Sequence, residues 1–270
     1  MTSGPKYPIL LVHGMGSRDS KLLNYWGRIP KALEQHGCRV FYGSQDSVAT
    51  AETNGQIIAD RIGEIIAETG AEKVNIIAHS KGGLDSRYAI SSLNMGDKVA
   101  SLTTISTPHN GSKTVDKLMM LPQPLVRFAG LCTDCWFRVI GDKHPDSYKV
   151  FHSFTTSGAD EFNFDNPDDE RVYYQSYAFV MRHPASDMLM WFPNFVVGII
   201  EGENDGLLTP DAVRWGNFRG VHSGATGRGI SHVDEIDLRR HRLTKKTGDG
   251  VSDIVDIYIN IVTELSEMGF

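Results

Sequence analysis

The chain lacks the features that mark several large classes of protein. Its 27 Lys and Arg residues do not exceed its 33 Asp and Glu residues, and the formal net charge of -6 argues against a nucleic acid partner. No apolar run approaches the roughly 18 residues that a transmembrane helix needs. The N-terminal sequence MTSGPKYPILLVHG lacks the architecture of a secretory leader. We therefore expect a soluble chain with no transmembrane segment, which is cytoplasmic or, if a leader has been removed, secreted.

Cysteine is scarce as well. Three residues, Cys38, Cys132 and Cys135, cannot all pair within the chain, which argues against a small secreted domain held by disulfides. Cys132 and Cys135 form a C-x-x-C pair, but a zinc site needs four ligands and the chain has no second such pair. The sequence therefore predicts free thiols or one local disulfide, with a hydrophobic core as the source of stability.

An alternation of strands and helices organises the 270 residues. Apolar runs predict strands at residues 7–12, 39–42, 74–77, 100–106 and 195–201. Isoleucines at helical spacing predict a helix over residues 54–69, with Asn54 as its N-cap and Gly70 as its stop. A second amphipathic helix is expected over residues 251–268. This alternation predicts one α/β domain over residues 1–270, with a mostly parallel central sheet and helices on both faces.

The segment KVNIIAHSKGGLDSR, residues 73–87, carries the strongest functional signal. Its apolar strand leads into a turn of small residues around Ser80 and then into a helix, which fits the nucleophile-elbow pattern G-x-S-x-G with Ala78 in the first position. Small residues at positions 78 and 82 suit a sharp turn in which backbone lies against backbone. The alternative is an ordinary glycine-rich turn between a strand and a helix.

A serine nucleophile needs a base, and His232 is the candidate. It lies in the polar loop GISHVDE after the last predicted strand, late in the chain, which is where the histidine of such a triad is expected. His222 is the alternative base. His241 lies in the basic stretch LRRHR, which is typical of a solvated face.

The acid that orients the base is expected between the serine and the histidine, at the carboxyl end of a strand. Asp205 follows the predicted strand at residues 195–201, in the segment EGENDGL. Its neighbours Gly202 and Gly206 permit a turn that points the carboxylate back at the histidine. Glu201 and Glu203 are alternatives.

Two backbone N–H groups are the candidate oxyanion hole, which stabilises negative charge on the tetrahedral intermediate. One belongs to Lys81, directly after the nucleophile at a helix N-terminus. The other belongs to Met15, in the loop after the first strand. His13 is expected to hold that loop in place.

Residues 113–152 interrupt the alternation. This insertion is rich in Leu, Met, Phe and Trp and contains Pro122, Pro124 and Gly130. It follows a strand end near the proposed site, so we interpret it as a helical lid over an apolar acyl pocket. The alternative is additional core.

Taken together, six segments resemble the bacterial true lipases, the triacylglycerol lipases of the α/β-hydrolase fold. They are LLVHGMG at residues 10–16, IIAHSKGG at 76–83, STPHNGS at 106–112, VYYQSYA at 172–178, ENDGLLTP at 203–210 and SHVDE at 231–235. The resemblance implies an α/β-hydrolase fold, a Ser80-Asp205-His232 triad, a helical lid and hydrolysis of carboxylic esters with acyl chains.

The same resemblance implies a structural calcium in many members, beside the histidine loop. Asp234 matches an acid two residues after the base, and Asp187, expected just before the last strand, resembles the upstream ligand. Leu238 stands where some relatives offer a side-chain oxygen, and calcium takes six to eight oxygens. A salt bridge of Asp234 is therefore an equal alternative.

The predicted function is a serine carboxylic-ester hydrolase, a lipase or esterase, that works through an acyl-enzyme intermediate and needs no cofactor for catalysis. Its partner is an acyl-ester substrate, presented at a lipid or polymer interface or free in solution. The alternatives are an acyltransferase with the same triad and a non-catalytic binding module on the same fold.

Overall fold

A computed structural model describes residues 4–16, 24–245 and 249–270. In this part of the chain six strands form one parallel sheet in the order β2-β1-β3-β4-β5-β6. The strands are β1 (Ile9–Val12), β2 (Val40–Tyr42), β3 (Val74–His79), β4 (Val99–Ile105), β5 (Tyr173–Phe179) and β6 (Asn217–His222). The mostly parallel sheet that the sequence predicts is confirmed.

Helices connect these strands and cover both faces of the sheet. They are α1 (Ile29–Gln35), α2 (Ala51–Thr69), α3 (Gly82–Ser91), α4 (Lys113–Met119), α5 (Gln123–Val139), α6 (Ser147–Ser153), α7 (Thr156–Asp165), α8 (Trp191–Ile200), α9 (Pro210–Val213) and α10 (Ile254–Glu267). No helix in the described ranges is long and apolar enough to cross a bilayer.

Two hydrophobic cores lie on opposite sides of the sheet, because successive side chains of a strand point to opposite faces. Leu11 and Ile77 pack into the core that contains Trp26 and the apolar face of α10. Leu10 and Ile76 pack into the core that contains the isoleucines of α2. The central strands are therefore buried on both faces, which explains their continuous apolar runs.

The strand predicted at residues 195–201 is wrong. Residues Trp191–Ile200 form the helix α8. Two strands that the apolar pattern did not predict, β5 and β6, complete the sheet instead. Asp187 consequently precedes a helix and not the last strand.

The helix α2 begins earlier than predicted. Its N-cap is Thr50, whose side chain accepts a hydrogen bond from the Thr53 amide, and Asn54 lies inside the helix. Gly70 ends α2 with φ of 67°, in the left-handed region that favours glycine, as predicted.

The insertion after β4 is helical, and α4, α5 and α6 occupy residues 113–153. Cys132 and Cys135 lie exposed on α5, and all three cysteines are free thiols.

Candidate active site

Ser80 lies at the sharp turn between β3 and α3, where the sheet meets a helix N-terminus. Its φ is 53°, a left-handed conformation that side-chain-bearing residues seldom adopt. The Ser80 amide donates to Ile105 O at 2.9 Å, and the Thr107 hydroxyl donates to Ser80 O at 2.7 Å. These two bonds, one to β4 and one from the loop after it, hold the turn in its strained conformation, which costs on the order of 1–3 kcal/mol.

Glycine is required around this turn because other backbone segments approach it closely. A Cβ atom on Gly82 would lie 2.5 Å from His13 O and 2.6 Å from Val12 O. A Cβ atom on Gly14 would lie 2.7 Å from Ser80 Cβ. The loop after β1 therefore packs directly against the turn, and both together have the geometry of a nucleophile elbow.

His232 and Asp205 form a buried pair. His232 Nδ1 lies 2.8 Å from Asp205 Oδ2, and the backbone amide of His232 donates to Asp205 O, also at 2.8 Å. Asp205 Oδ1 accepts from the amides of Leu207 and Leu208 at 2.8 Å each. Because three of these bonds converge on the carboxylate and the fourth joins the two backbones, the position of the carboxylate relative to the imidazole is fixed.

The charge state of Asp205 follows from these contacts. Complete burial would raise the pKa of its carboxyl, but His232 and the two amides outweigh burial and hold the pKa below its usual range. Asp205 is therefore an anion at neutral pH, as an acid that orients a histidine must be.

Asp205 reaches this position from the loop between α8 and α9, not from the end of a strand. The alternatives lie elsewhere. The Glu201 carboxylate accepts from the hydroxyls of Ser112 and Thr114, at the start of the insertion, and Glu203 is exposed.

The alternative bases are also placed apart from Asp205. His222 ends the edge strand β6 and packs against the rings of Tyr177 and Phe179. His241 is exposed and contacts Arg242 O. Only His232, among the three histidines considered as bases, contacts Asp205 in the described structure.

Ser80 and His232 line one cavity of about 420 Å³. The imidazole of His232 also lies 4.5 Å, centroid to centroid, from the ring of His79, the residue before Ser80. Most of the remaining lining is apolar: Met15, Pro108, Val115, Phe137, Phe151, Phe154, Met190, Leu207, Leu208, Val233 and Ile236. The insertion thus contributes apolar side chains to the cavity that Ser80 lines.

The loop after β1 carries Met15 into this cavity. His13 holds the loop, because its Nε2 lies 3.1 Å from Gln45 O while Gln45 Nε2 donates to His13 O at 2.8 Å. On the other side of Ser80, the Lys81 side chain is buried and pairs with Asp85. Of the two backbone positions predicted for the oxyanion hole, Met15 thus lines the same cavity as Ser80, and Lys81 directly follows Ser80 at the start of α3.

Comparison with known proteins adds an independent observation. Residues 7–129 match the family described as alpha/beta hydrolase fold. Over 270 aligned residues the chain is 31% identical to triacylglycerol lipase 2 of Saccharomyces cerevisiae, with 92% of this chain and 75% of that protein covered. The chain belongs to the triacylglycerol lipase family of α/β hydrolases.

Two further comparisons agree, one with the family and one with the fold alone. The chain is 32% identical over 174 residues to a triacylglycerol lipase of Vibrio cholerae, covering 58% of this chain and 53% of that protein. The mature Bacillus licheniformis lipase BlEst2 shares the fold, with a TM-score of 0.68 at 21% identity over 88% of this chain and 89% of that chain. As a member of this lipase family, the protein is a serine ester hydrolase, and α/β hydrolases generally need no catalytic cofactor.

The lipase site contains a network of polar contacts that the sequence did not predict, centred on Glu235. Glu235 Oε2 lies 3.1 Å from His79 Nε2 and 3.8 Å from His232 Nδ1. The Tyr25 hydroxyl lies 2.7 Å from His79 Nδ1 and accepts from the Gly14 amide at 3.1 Å. This network joins the loop after β1 to the His232–Asp205 pair.

The pKa shifts of Glu235 and His79 indicate where protons lie in this network. Burial and the neighbouring Asp205 carboxylate raise the pKa of Glu235 well above its ordinary value, and burial lowers the pKa of His79 well below its own. Hydrogen bonding to the Asp205 carboxylate also favours the protonated form of Glu235, so Glu235 is the donor and Asp205 the acceptor. His79, Glu235 and His232 lie close enough together to hold a metal ion, but His79 Nε2 already bonds to Glu235 and His232 Nδ1 already bonds to Asp205.

The only signal for Glu235 in the sequence was its place in SHVDE, three residues after His232. Tyr25 and His79 gave no signal, because their roles arise from contacts between distant segments.

Replacing Glu235 by glutamine tests its protonation. The native state keeps the Glu235 proton above the ordinary pKa of about 4.5, whereas the unfolded chain releases it, so wild-type stability falls as the pH rises above that value. Glutamine is neutral at every pH and can still donate to Asp205. We expect the melting temperature of Glu235→Gln, relative to wild type, to increase as the pH rises from about 4.5.

Melting curves across this pH range, by circular dichroism, measure the difference. Glu267→Gln, which removes an exposed carboxylate from α10, is the matched control and should show no such trend. A constant difference between Glu235→Gln and wild type at all pH values would mean that Glu235 is ionised in the native state.

The structure brings Asp187 and Asp234 together, the pair that the family resemblance assigns to calcium, but their oxygens are already engaged. Asp187 Oδ2 accepts from Arg239 and from the Ser231 hydroxyl, both at 2.7 Å. Asp234 Oδ2 accepts from Arg228 at 2.8 Å. The one oxygen of the pair without a hydrogen bond, Asp234 Oδ1, lies 3.5 Å from Arg239 Nε.

This donor set does not fit a calcium ion, which takes six to eight oxygens. Arg228 also donates through Nε to Ser186 O at 2.7 Å, so a nearby carbonyl is engaged as well. The alternative held open for Asp234, a salt bridge, is what the structure contains.

Proposed function

We propose that the protein hydrolyses acyl esters by covalent catalysis, with Ser80 as nucleophile, His232 as base and Asp205 as the acid that orients it. The observation that carries this proposal is that Ser80 and His232 line the same cavity while Asp205 binds the Nδ1 nitrogen of the imidazole. Since Nδ1 faces Asp205, Nε2 is the ring nitrogen available to Ser80.

The reaction proceeds in two halves. Ser80 Oγ bonds to the ester carbonyl carbon as its proton passes to His232 Nε2, and the alcohol leaves with that proton when the ester C–O bond breaks. Water then attacks the acyl-enzyme, with His232 taking its proton and returning one to Ser80 as the carboxylic acid departs. Asp205 stabilises the imidazolium in both halves.

The amides of Met15 and Lys81 are proposed to donate to the oxyanion. Their support is position: Met15 lines the cavity, and Lys81 follows Ser80 at the N-terminus of α3, whose dipole favours negative charge. Removal of one such donor typically lowers the rate about 100- to 1,000-fold. No step of this mechanism passes through a metal or cofactor.

The apolar lining of the cavity supports an acyl chain as the substrate group that it binds. Phe137, Phe151 and Phe154 lie on or beside the insertion and face the same space as Ser80. Burial of each methylene of an acyl chain contributes about 0.8 kcal/mol. We therefore propose esters of acyl chains, including triacylglycerols, as the substrate class.

Two exposed apolar segments support binding at a lipid or polymer interface. One is the insertion, which we propose acts as a lid, and the other is the region around α8. Their exposed side chains are Leu118, Met120, Leu121, Leu125, Phe128, Leu131, Trp136, Val139, Ile140, Met188, Leu189, Trp191, Phe192, Phe195 and Ile199. Other residues of the insertion and of the region around α8 line the cavity. An apolar phase that covers the exposed side chains would therefore lie next to the cavity.

A series of p-nitrophenyl and glycerol esters of increasing acyl length tests this proposal, measured below and above the concentration at which the substrate forms an interface. We expect hydrolysis to increase above that concentration for wild type. Phe128→Ser, on the exposed face of α5, should reduce this increase and leave hydrolysis of soluble short esters unchanged.

Phe164→Ser is the matched control, because Phe164 is 87% exposed on α7, outside both segments. An equal increase in hydrolysis for Phe128→Ser and Phe164→Ser would contradict the proposed binding at an interface. Absence of hydrolysis of every ester would remove ester hydrolysis itself.

A further inference from the structure

Four charged side chains surround the loop that carries His232, and we call them the arginine clamp: Arg228, Arg239, Asp187 and Asp234. Both carboxylates are buried, with residue exposures of 1% for Asp187 and 2% for Asp234. Each carboxylate lies within 4 Å of both guanidinium groups. Two negative and two positive charges thus balance within one cluster.

The clamp joins three parts of the chain that are distant in sequence. Asp187 precedes α8, Arg228 lies in the loop after β6, and Asp234 and Arg239 lie in the loop after His232. The buried Asp187 Oδ2 accepts from Arg239 at 2.7 Å and lies 3.4 Å from the Arg228 guanidinium, so both cations lie beside this carboxylate.

His232 lies inside this arrangement. The residue before it, Ser231, donates through its hydroxyl to Asp187, and the Ser231 amide donates to Asp234 Oδ2 at 3.1 Å. Further along, Asp237 accepts from Arg28 at 2.7 and 2.8 Å. The His232 loop is thus held by arginine–carboxylate contacts on both sides of the histidine.

We propose that Arg228 and Arg239 are positioning residues that supply the positive charge at Asp187 and Asp234 which many relatives are expected to obtain from calcium. This inference rests on the proposed role of His232. Guanidinium groups suit it because their planar donors match two carboxylates and keep their charge at all working pH values. The protein therefore needs no calcium to fix its histidine loop.

The first measurement uses the wild-type protein, dialysed against EDTA and then supplied with calcium chloride. We expect the same melting temperature and the same kcat in both conditions. A fall in either with EDTA, reversed by calcium, would overturn the proposal.

The second measurement removes the clamp's cations. In Arg228→Gln/Arg239→Gln the two buried carboxylates lose their partners, so we expect kcat to fall about 100-fold, the effect of a displacement near 1 Å in a catalytic group, with less change in KM. Calcium should now raise the melting temperature of this variant, because an ion that binds only the folded state stabilises it. Arg240→Gln, which removes an exposed neighbouring arginine, is the control and should behave as wild type.

Unchanged kcat in the double variant would also overturn the positioning role. If the double variant does not fold, the single variants Arg239→Lys and Arg239→Gln replace it. The lysine variant keeps the charge and should retain more activity, and equal loss in both would contradict the proposal. The melting temperatures report the clamp even if the proposed role of His232 fails, so the two failures are distinguishable.

Discussion

Ser80→Ala is expected to lower kcat for ester hydrolysis on the order of 10⁵-fold or more, since loss of the nucleophile from a serine triad removes nearly all of its catalysis. A small residual rate over water, from the oxyanion amides and substrate binding, should persist. A fluorophosphonate should label wild type at Ser80 and should not label the variant.

The fold should survive this change. Alanine keeps a Cβ atom and therefore keeps the strain of the left-handed conformation at φ 53°, while the bonds from Ser80 N and to Ser80 O belong to the backbone. An unchanged melting temperature would then assign the loss to chemistry. Ser86→Ala is the matched control, because Ser86 is also buried but bonds only to Gly82 O within α3.

If Ser80→Ala hydrolysed esters at the wild-type rate, or if a fluorophosphonate labelled another serine, Ser80 would not be the nucleophile. The Ser86→Ala control should retain both the rate and the label. Loss of activity in both variants, with lowered melting temperatures, would instead indicate damage to α3.

The sharp turn around Ser80 was predictable from sequence because its signal is local. The apolar strand β3, the small residues of the turn and the start of α3 are contiguous, and the close approach of Gly82 to the loop after β1 explains why a small residue was needed there. The residue types of Asp205 and His232 and their order along the chain identified a pair that the structure places 2.8 Å apart.

The segment FVVGIIE was wrongly predicted as a strand because its β-branched residues suit a buried strand, and the periodicity of a short apolar run does not distinguish a strand from a helix. In the structure this run is part of α8, and Phe195 and Ile199, four residues apart, are both exposed. Conversely, β6 is an edge strand of partly exposed residues with no apolar run to mark it.

Contacts between distant segments left no local signal. Glu235 meets His79 across 156 residues of sequence, and Arg239 meets Asp187 across 52. The sequence alone does not distinguish a loop arginine that pairs with a buried carboxylate from one that is solvated. The prediction for Asp187 and Asp234 therefore depended on family resemblance. That resemblance did not predict that arginines of this chain would pair with the two carboxylates.

Asp205→Asn is expected to lower kcat about 10⁴-fold with the fold intact, because it traps the wrong tautomer of His232. Asparagine Oδ1 can keep the hydrogen bonds from the Leu207 and Leu208 amides, which turns its NH₂ group toward His232 Nδ1. The imidazole must then accept at Nδ1 and carry its proton on Nε2, where it cannot take the proton of Ser80.

Steady-state kinetics with a soluble ester measure this loss, and circular dichroism checks the fold. Glu203→Gln, two residues away and exposed, is the matched control and should retain near-normal activity. Near-normal turnover in Asp205→Asn would identify another acid, and Glu235, with Oε2 at 3.8 Å from His232 Nδ1, is the carboxyl positioned to act in its place. Asp205→Asn/Glu235→Gln should then lose the activity that Asp205→Asn keeps, whereas Glu201→Gln should not matter, because its carboxylate is bonded to Ser112 and Thr114.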